Sequence, residues 1–199
     1  KNILVVGAEK HSFGLDFSTR GRNVSVIFGD GAGAVVLQPT EKENQGILST
    51  HLHSDGNSAE ILAMYNPGTH ANHWSEQKLA SFDEAEIGKM FFSHAMIADE
   101  KFPAVIREAL EANHRTTADI NLLIPHQANL RISQFVQKKL QLRDDQVYNN
   151  IMYYGNTTAA SVPIALCEAW EKGKVKDGDL VCLAAFGSGF TWGSVLLNW

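Results

Sequence analysis

The chain has 199 residues, 44% hydrophobic and 20% charged, which is the make-up of a globular protein with one large domain or parts of two. Its net charge of -5 gives no general reason to expect nucleic-acid binding. No apolar run approaches the roughly 18–20 residues of a membrane span, and two cysteines, Cys167 and Cys182, make no disulfide framework and fit a reducing cytosol.

The chain opens on Lys1-Asn2 with no initiator Met and no secretory signal pattern. Asn2–Ala8 is a short β-branched run typical of a buried strand, and such a strand needs neighbours on both sides. A fragment or processed product is therefore expected. Val24–Phe28 reads as a second strand, Gly29–Gly33 as a Gly-rich turn, and Ala34–Leu37 as a third strand. Gly46–His53 alternates apolar and polar residues like a half-buried strand. Ser54–Phe82 is polar, without a clear period, and reads as a long loop. From Ile87 to Asn113 apolar residues recur at helical spacing, with Pro103 as a kink or a break. Ile120–Ile124 is a buried strand, Leu130–Leu140 an amphipathic helix, and Ala159–Lys172 a helix ended by Gly173. Leu180–Phe186 and Phe190–Leu197 form a hairpin about Gly187-Ser188-Gly189. Strands alternating with helices before a closing antiparallel pair predict a layered α/β protein around a mixed sheet.

Three places carry chemistry. Pro125-His126-Gln127-Ala128-Asn129 follows a buried strand and opens a helix, and ligand sites in α/β sheets lie beyond strand carboxyl ends. The nearby helix N-terminus disfavours imidazolium, so His126 should be neutral at pH 7 and donate through one ring nitrogen. Taken alone, the same His reads as a surface or capping residue. Asn156, in Gly155–Ser161, is an N-cap or an amide aimed at a reacting oxygen. Phe186–Phe190 is an ordinary tight turn or a backbone anion site. Gly29–Ala34 lacks the helix that a dinucleotide motif requires. His51 and His53 share a strand face, with His70 and His73 further on, but no carboxylate or Cys cluster joins them at metal spacing, so no metal is expected.

GDGAGAVVL at 29–37, STHLHSDG at 49–56, IPHQANLRI at 124–132, GNTTAASVPIAL at 155–166 and GFTWG at 189–193 resemble, jointly and in this order, the β-ketoacyl-acyl-carrier-protein synthase III family of the thiolase superfamily. The resemblance spans nearly the whole chain. It implies a five-layered αβαβα thiolase-like fold, with residues 1–40 as the end of the first half and residues 41–199 as the second half. It implies a Cys-His-Asn triad in which His126 and Asn156 match the His and Asn, while the Cys segment lies upstream of this chain. Phe186 matches the apolar gate, and Ser188 falls at an oxyanion-hole backbone N–H where many relatives have Gly. Arg20 matches a coenzyme A contact. Ala128 and Asn129 match the pantetheine tunnel, and Arg131 the carrier-protein docking face. Lys89–Ala98 departs from the family pattern, which bears on substrate choice.

The reaction so implied is a decarboxylating Claisen condensation of an acyl-CoA-derived acyl group with malonyl-acyl-carrier protein, in fatty acid or related acyl-chain synthesis, with no cofactor. Arg131 and Lys138, seven apart on one helix face, would steer the acidic carrier protein. A cytoplasmic homodimer is expected from the resemblance, and this chain alone should be inactive for want of the thiol. One alternative is a non-catalytic or acyl-transferring subunit that pairs with a catalytic partner. Another is a hydrolase using Cys167. The latter is disfavoured because Cys167 and Cys182 read as core residues of an apolar helix and a strand.

Overall fold

A computed structural model describes residues 1–13, 15, 17, 19, 21–58 and 95–199. Its strands are β1 (Ile3–Glu9), β2 (Gly31–Leu37), β3 (Gly46–Ser58), β4 (Leu122–Pro125), β5 (Leu180–Gly187) and β6 (Gly189–Asn198). Its α-helices are α1 (Arg22–Ser25), α2 (Ala95–Ala112), α3 (Leu130–Leu140), α4 (Ile151–Tyr154) and α5 (Ser161–Glu171). β1 and β2 pair antiparallel, and β3-β6-β5-β4 form a separate four-stranded sheet. Within it β4 and β5 are parallel, while β6 is antiparallel to both β3 and β5.

Strand periodicity decides where the core lies, because successive side chains point to opposite faces. Leu123, Cys182, Ala184 and Leu196 face α2 and α3, joining Phe102, Ile106, Leu110, Val136 and Leu140. Their neighbours Leu122, Ile124 and Val181 face the other way and pack with Ala165, Leu166 and Ala169 of α5. β4 is thus buried on both faces. Val35 of β2 packs against this second cluster. Any side chain at Gly33 would press on Pro163 and Ile164, so β2 lies directly on α5. The order of layers is therefore α2 with α3, the four-stranded sheet, α5, and the β1-β2 sheet. Four alternating layers of the five-layered thiolase-like α/β architecture are accounted for by these elements.

Several expectations are corrected. Val24–Phe28 is not a strand. The N–H groups of Val24 and Ser25 donate to the Gly21 carbonyl in a helical turn, and only Phe28 makes a β-bridge, to Asn156. The glycines of 31–33 lie inside β2 rather than in a turn, because close contact with α5 needs their lack of a side chain. β3 runs on to Ser58, so Ser54–Ser58 is strand rather than loop, and the rest of the expected Ser54–Phe82 loop lies outside the described residues. Residues 59–94, which include His70, His73 and most of Lys89–Ala98, lie outside the described residues, as does Arg20. Pro103 sits within one continuous helix. Cys167 is exposed, with its Sγ 3.9 Å from Oε1 of Glu171, so it is not a core residue. Cys182 is buried, and burial pushes its thiol pKa up to about 12.

Candidate active site

His126 is the first residue past β4. Its N–H donates to the Ala184 carbonyl at 2.7 Å, which extends the parallel ladder by one bond and pins the backbone at the sheet's carboxyl edge. The ring Nδ1 lies 2.6 Å from Oγ of Ser161, the first residue of α5. The Gln127 N–H donates to the same oxygen at 3.4 Å. Burial lowers the His126 pKa from 6.5 to about 4. The ring is neutral at pH 7, as the sequence predicts, but desolvation rather than a helix dipole is the cause.

Asn156 is buried and held from two sides. Its backbone N–H donates to the Ile27 carbonyl at 2.8 Å, and its carbonyl accepts from the Gly29 N–H at 3.0 Å. Its side-chain Oδ1 accepts from the Thr158 N–H at 2.8 Å. With Oδ1 turned to the backbone, Nδ2 is the atom left to donate elsewhere. Thr158 itself has φ 41°, a rare conformation for a β-branched residue. Strain of that kind collects at functional sites. Oγ1 of Thr158 lies 3.2 Å from Nε2 of His11, whose ring contacts Phe28 at 4.7 Å between centroids.

Gln127 ties the two motifs together, and the sequence marks it only as a member of the 125–129 segment, with no role of its own. Its side chain is 3% exposed. Nε2 donates to the carbonyls of Pro125 at 2.7 Å and Tyr148 at 3.3 Å, and Oε1 accepts from the N–H groups of Asn150 at 3.0 Å and Ile151 at 3.1 Å. All four hydrogen-bonding positions of the amide are filled. Those N–H groups open α4, which ends at Gly155 (φ 68°), and Asn156 follows at once. The residue after His126 therefore holds the helix that delivers Asn156.

Phe186 closes the carboxyl end of β5, two residues beyond the carbonyl that receives the His126 N–H. Its ring packs on Phe190, Trp192 and Phe102 at 5.0, 6.1 and 6.3 Å. Behind it, His53 stacks on Trp192 at 5.5 Å, and Lys101 lies over the same ring while pairing with Asp55 at 2.7 Å. Glu108 of α2 takes His53 on one oxygen at 2.6 Å and His51 on the other at 3.2 Å. The hydrogen bond from His53 is the main cause holding the Glu108 carboxyl below its usual range. A carboxylate does accompany the two histidines, and sequence spacing missed it because Glu108 comes from another element.

Ser188 is exposed at the hairpin tip between β5 and β6. Asn129 is the N-cap of α3, with its Oδ1 accepting from the Arg131 N–H at 2.9 Å. Ala128 is half-buried in the turn that leads to it, and its N–H donates to the His126 carbonyl at 2.9 Å. Arg131 and Lys138 are exposed on α3. Arg107 of α2 adds a cation beside them, donating to the Lys139 carbonyl at 2.9 Å.

Sheets alternating with helices, and polar groups gathered beyond the carboxyl ends of the parallel strands β4 and β5, fit a thiolase-type α/β fold. Family models narrow this class. 3-Oxoacyl-[acyl-carrier-protein] synthase III matches residues 1–56, and the C-terminal model of the same synthase matches residues 110–199. The chain belongs to the 3-oxoacyl-[acyl-carrier-protein] synthase III family. It is 43% identical over 202 residues to the β-ketoacyl-[acyl-carrier-protein] synthase III of Rhodospirillum centenum, covering 100% of this chain and 59% of that protein. It is 45% identical over 199 residues to the synthase of the same name from Xanthomonas campestris, covering 100% and 58%. The crystal structure of 3-oxoacyl-[acyl-carrier-protein] synthase III from Aquifex aeolicus superposes with a TM-score of 0.83 at 38% identity, again over 100% of this chain and 58% of that one. The chain thus spans less than two thirds of the length of these relatives.

Proposed function

We propose that this chain supplies the decarboxylating half of a condensing site that joins an acyl group to malonyl-acyl-carrier protein. The observation that carries the reading is a neutral, partly exposed His126 beside the strained loop that holds Asn156. When the malonyl C–C bond breaks, carbon dioxide leaves and the electron pair moves toward the thioester oxygen as an enolate. The His126 ring N–H and the Asn156 Nδ2–H donate to that oxygen. Neither must give up a proton, so the donors act by preorganised electrostatics. A neutral ring matters, because imidazolium would also hold the malonyl carboxylate and stabilise the ground state. Phe186 and its aromatic neighbours keep water from that carboxylate. The freed carbon then attacks the acyl thioester, and the enzyme thiolate leaves.

The attacking thiol comes from outside these 199 residues. Cys182 is buried with a raised pKa, and Cys167 faces solvent beside a carboxylate, so neither has the electropositive setting of a nucleophile. Residues 1–40 are read as the end of a first half whose remainder covers β1 and β2. Val6 is 59% and Val36 63% exposed there, and apolar residues are exposed on both faces of β1. Ser188 would serve the oxyanion side, and Ala128 and Asn129 the path of the acyl-CoA and carrier arm; a coenzyme A contact for Arg20 rests on the resemblance alone. Arg131, Lys138 and Arg107 form the face that meets the acidic carrier protein. Pairing of two copies and a cytoplasmic setting are expectations from the resemblance. Among the described residues no helix is long and apolar enough to cross a membrane.

The test is malonyl-carrier decarboxylation by the whole protein. His126→Ala should lower the rate by about 10²–10³, the usual effect of removing one oxyanion donor. An unchanged rate would sink the assignment.

A further inference from the structure

The functional reading needs a ring N–H from His126 but leaves open which nitrogen carries the proton. The surroundings of Nδ1 decide this. The only described group bonded to Nδ1 is Oγ of Ser161, at 2.6 Å. Ser161 is 2% exposed, so its hydroxyl proton has no water to turn to. The same oxygen already receives the Gln127 N–H. A hydroxyl has one proton and two lone pairs. If Nδ1 carried a proton, Ser161 would accept twice, and its own proton would be buried without an acceptor. That arrangement costs a lost hydrogen bond. If Nδ1 is bare, Ser161 accepts from Gln127 and donates to Nδ1, and every group is satisfied.

We propose that Ser161 is a positioning residue that holds His126 in the tautomer with its proton on Nε2, so that Nε2–H is the donor aimed into the site. The proposal rests on the condensing reading only for its effect on rate; the tautomer itself is a property of the resting protein. Ser161 is the last residue of the 155–161 segment that also carries Asn156. One short stretch of chain therefore provides one donor and orients the other. In the wrong tautomer the ring would present a lone pair to the developing enolate, and attraction would become repulsion.

The experiment is a nitrogen NMR spectrum of the whole protein labelled at histidine nitrogens, with the His126 signals assigned by their loss in His126→Gln. The wild type should show His126 with a pyridine-like Nδ1 and a protonated Nε2 throughout pH 5.5–8. Ser161→Ala should show exchange between both tautomers. It should also lower kcat for malonyl-carrier decarboxylation by about 10-fold or more with KM little changed, since the hydroxyl touches no substrate. Ser161→Thr, which keeps the hydroxyl, should restore the wild-type spectrum. A wild-type ring protonated on Nδ1 would overturn the proposal without recourse to any variant. So would a Ser161→Ala ring still wholly protonated on Nε2. Loss of the tautomer effect and loss of the functional reading are separable, because the latter is judged by decarboxylation in His126→Ala and Asn156→Ala.

Discussion

Gln127→Met isolates the strut between the two motifs. Methionine matches glutamine in length and shape but makes none of its four bonds. Two of the four backbone groups lose a fully buried partner: the Pro125 carbonyl and the Asn150 N–H. The other two, on Tyr148 and Ile151, sit in part-buried bonds that water can replace. Each stranded buried group costs about 1–3 kcal/mol, and the apolar side chain recovers part of that because no amide is desolvated. The net loss should be roughly 2–4 kcal/mol. Urea denaturation of the whole protein would read it as a lower midpoint with an unchanged slope. Decarboxylation measured well below that midpoint should fall as well, because α4 is no longer held where it delivers Asn156. In an Asn156→Ala background the same substitution should add little further loss of rate, since the strut acts through that residue. A stability change under about 0.5 kcal/mol together with a wild-type rate would refute the argument.

Two other outcomes follow from the same geometry. Burial keeps the folded His126 pKa near 4, while the unfolded ring titrates near 6.5. As pH falls, the unfolded chain takes up the proton first, so this contribution to stability is whole above pH 6.5 and is lost between 6.5 and 4. Its upper bound is roughly 3 kcal/mol; denaturation midpoints at pH 7 and pH 4.5 should diverge less in His126→Gln than in the wild type, and equal divergence would count against it. Gly29→Ala would drive a methyl into the Tyr154 carbonyl and toward Cγ2 of Thr157. Since both flank Asn156, the rate should drop about 10-fold or more while the protein loses on the order of 1–3 kcal/mol, and a wild-type kcat would show that the segment yields freely.

What could be read in the sequence was whatever local pattern decides. Leu130–Leu140 is a helix with the bounds expected from its period, and the closing hairpin was marked by two strand-like runs on either side of a Gly-Ser-Gly turn. Val24–Phe28 failed for the opposite reason. Its β-branched residues favour extended chain, but the bonds to Gly21 and the pairing of Phe28 with Asn156 come from tertiary context. The exposure of Cys167 was hidden because α5 is apolar nearly all round, so periodicity could not say which side meets solvent. The motif residues His126 and Asn156 stood out by resemblance. Gln127 and Ser161 stood beside them unremarked, since their importance lies in what crosses over them: the 148–151 segment in one case and the His126 ring in the other. Glu108 reaches His51 and His53 from a helix more than fifty positions away, which no spacing rule finds.

The backbone of Asn156 is bonded on one side to Ile27 and on the other to Gly29, residues separated from it by well over half the chain. Closing so long a loop is among the slowest events of folding, because its entropy must be lost before the contact forms. Helices and the local β5-β6 hairpin can form early, without that contact. The Asn156 backbone gains these bonds only when the segment between β1 and β2 is in place beside it. On the proposed reading, competence at this site would then be a late product of folding, and a refolding population could look native by its helix content before the Asn156 amide is in place.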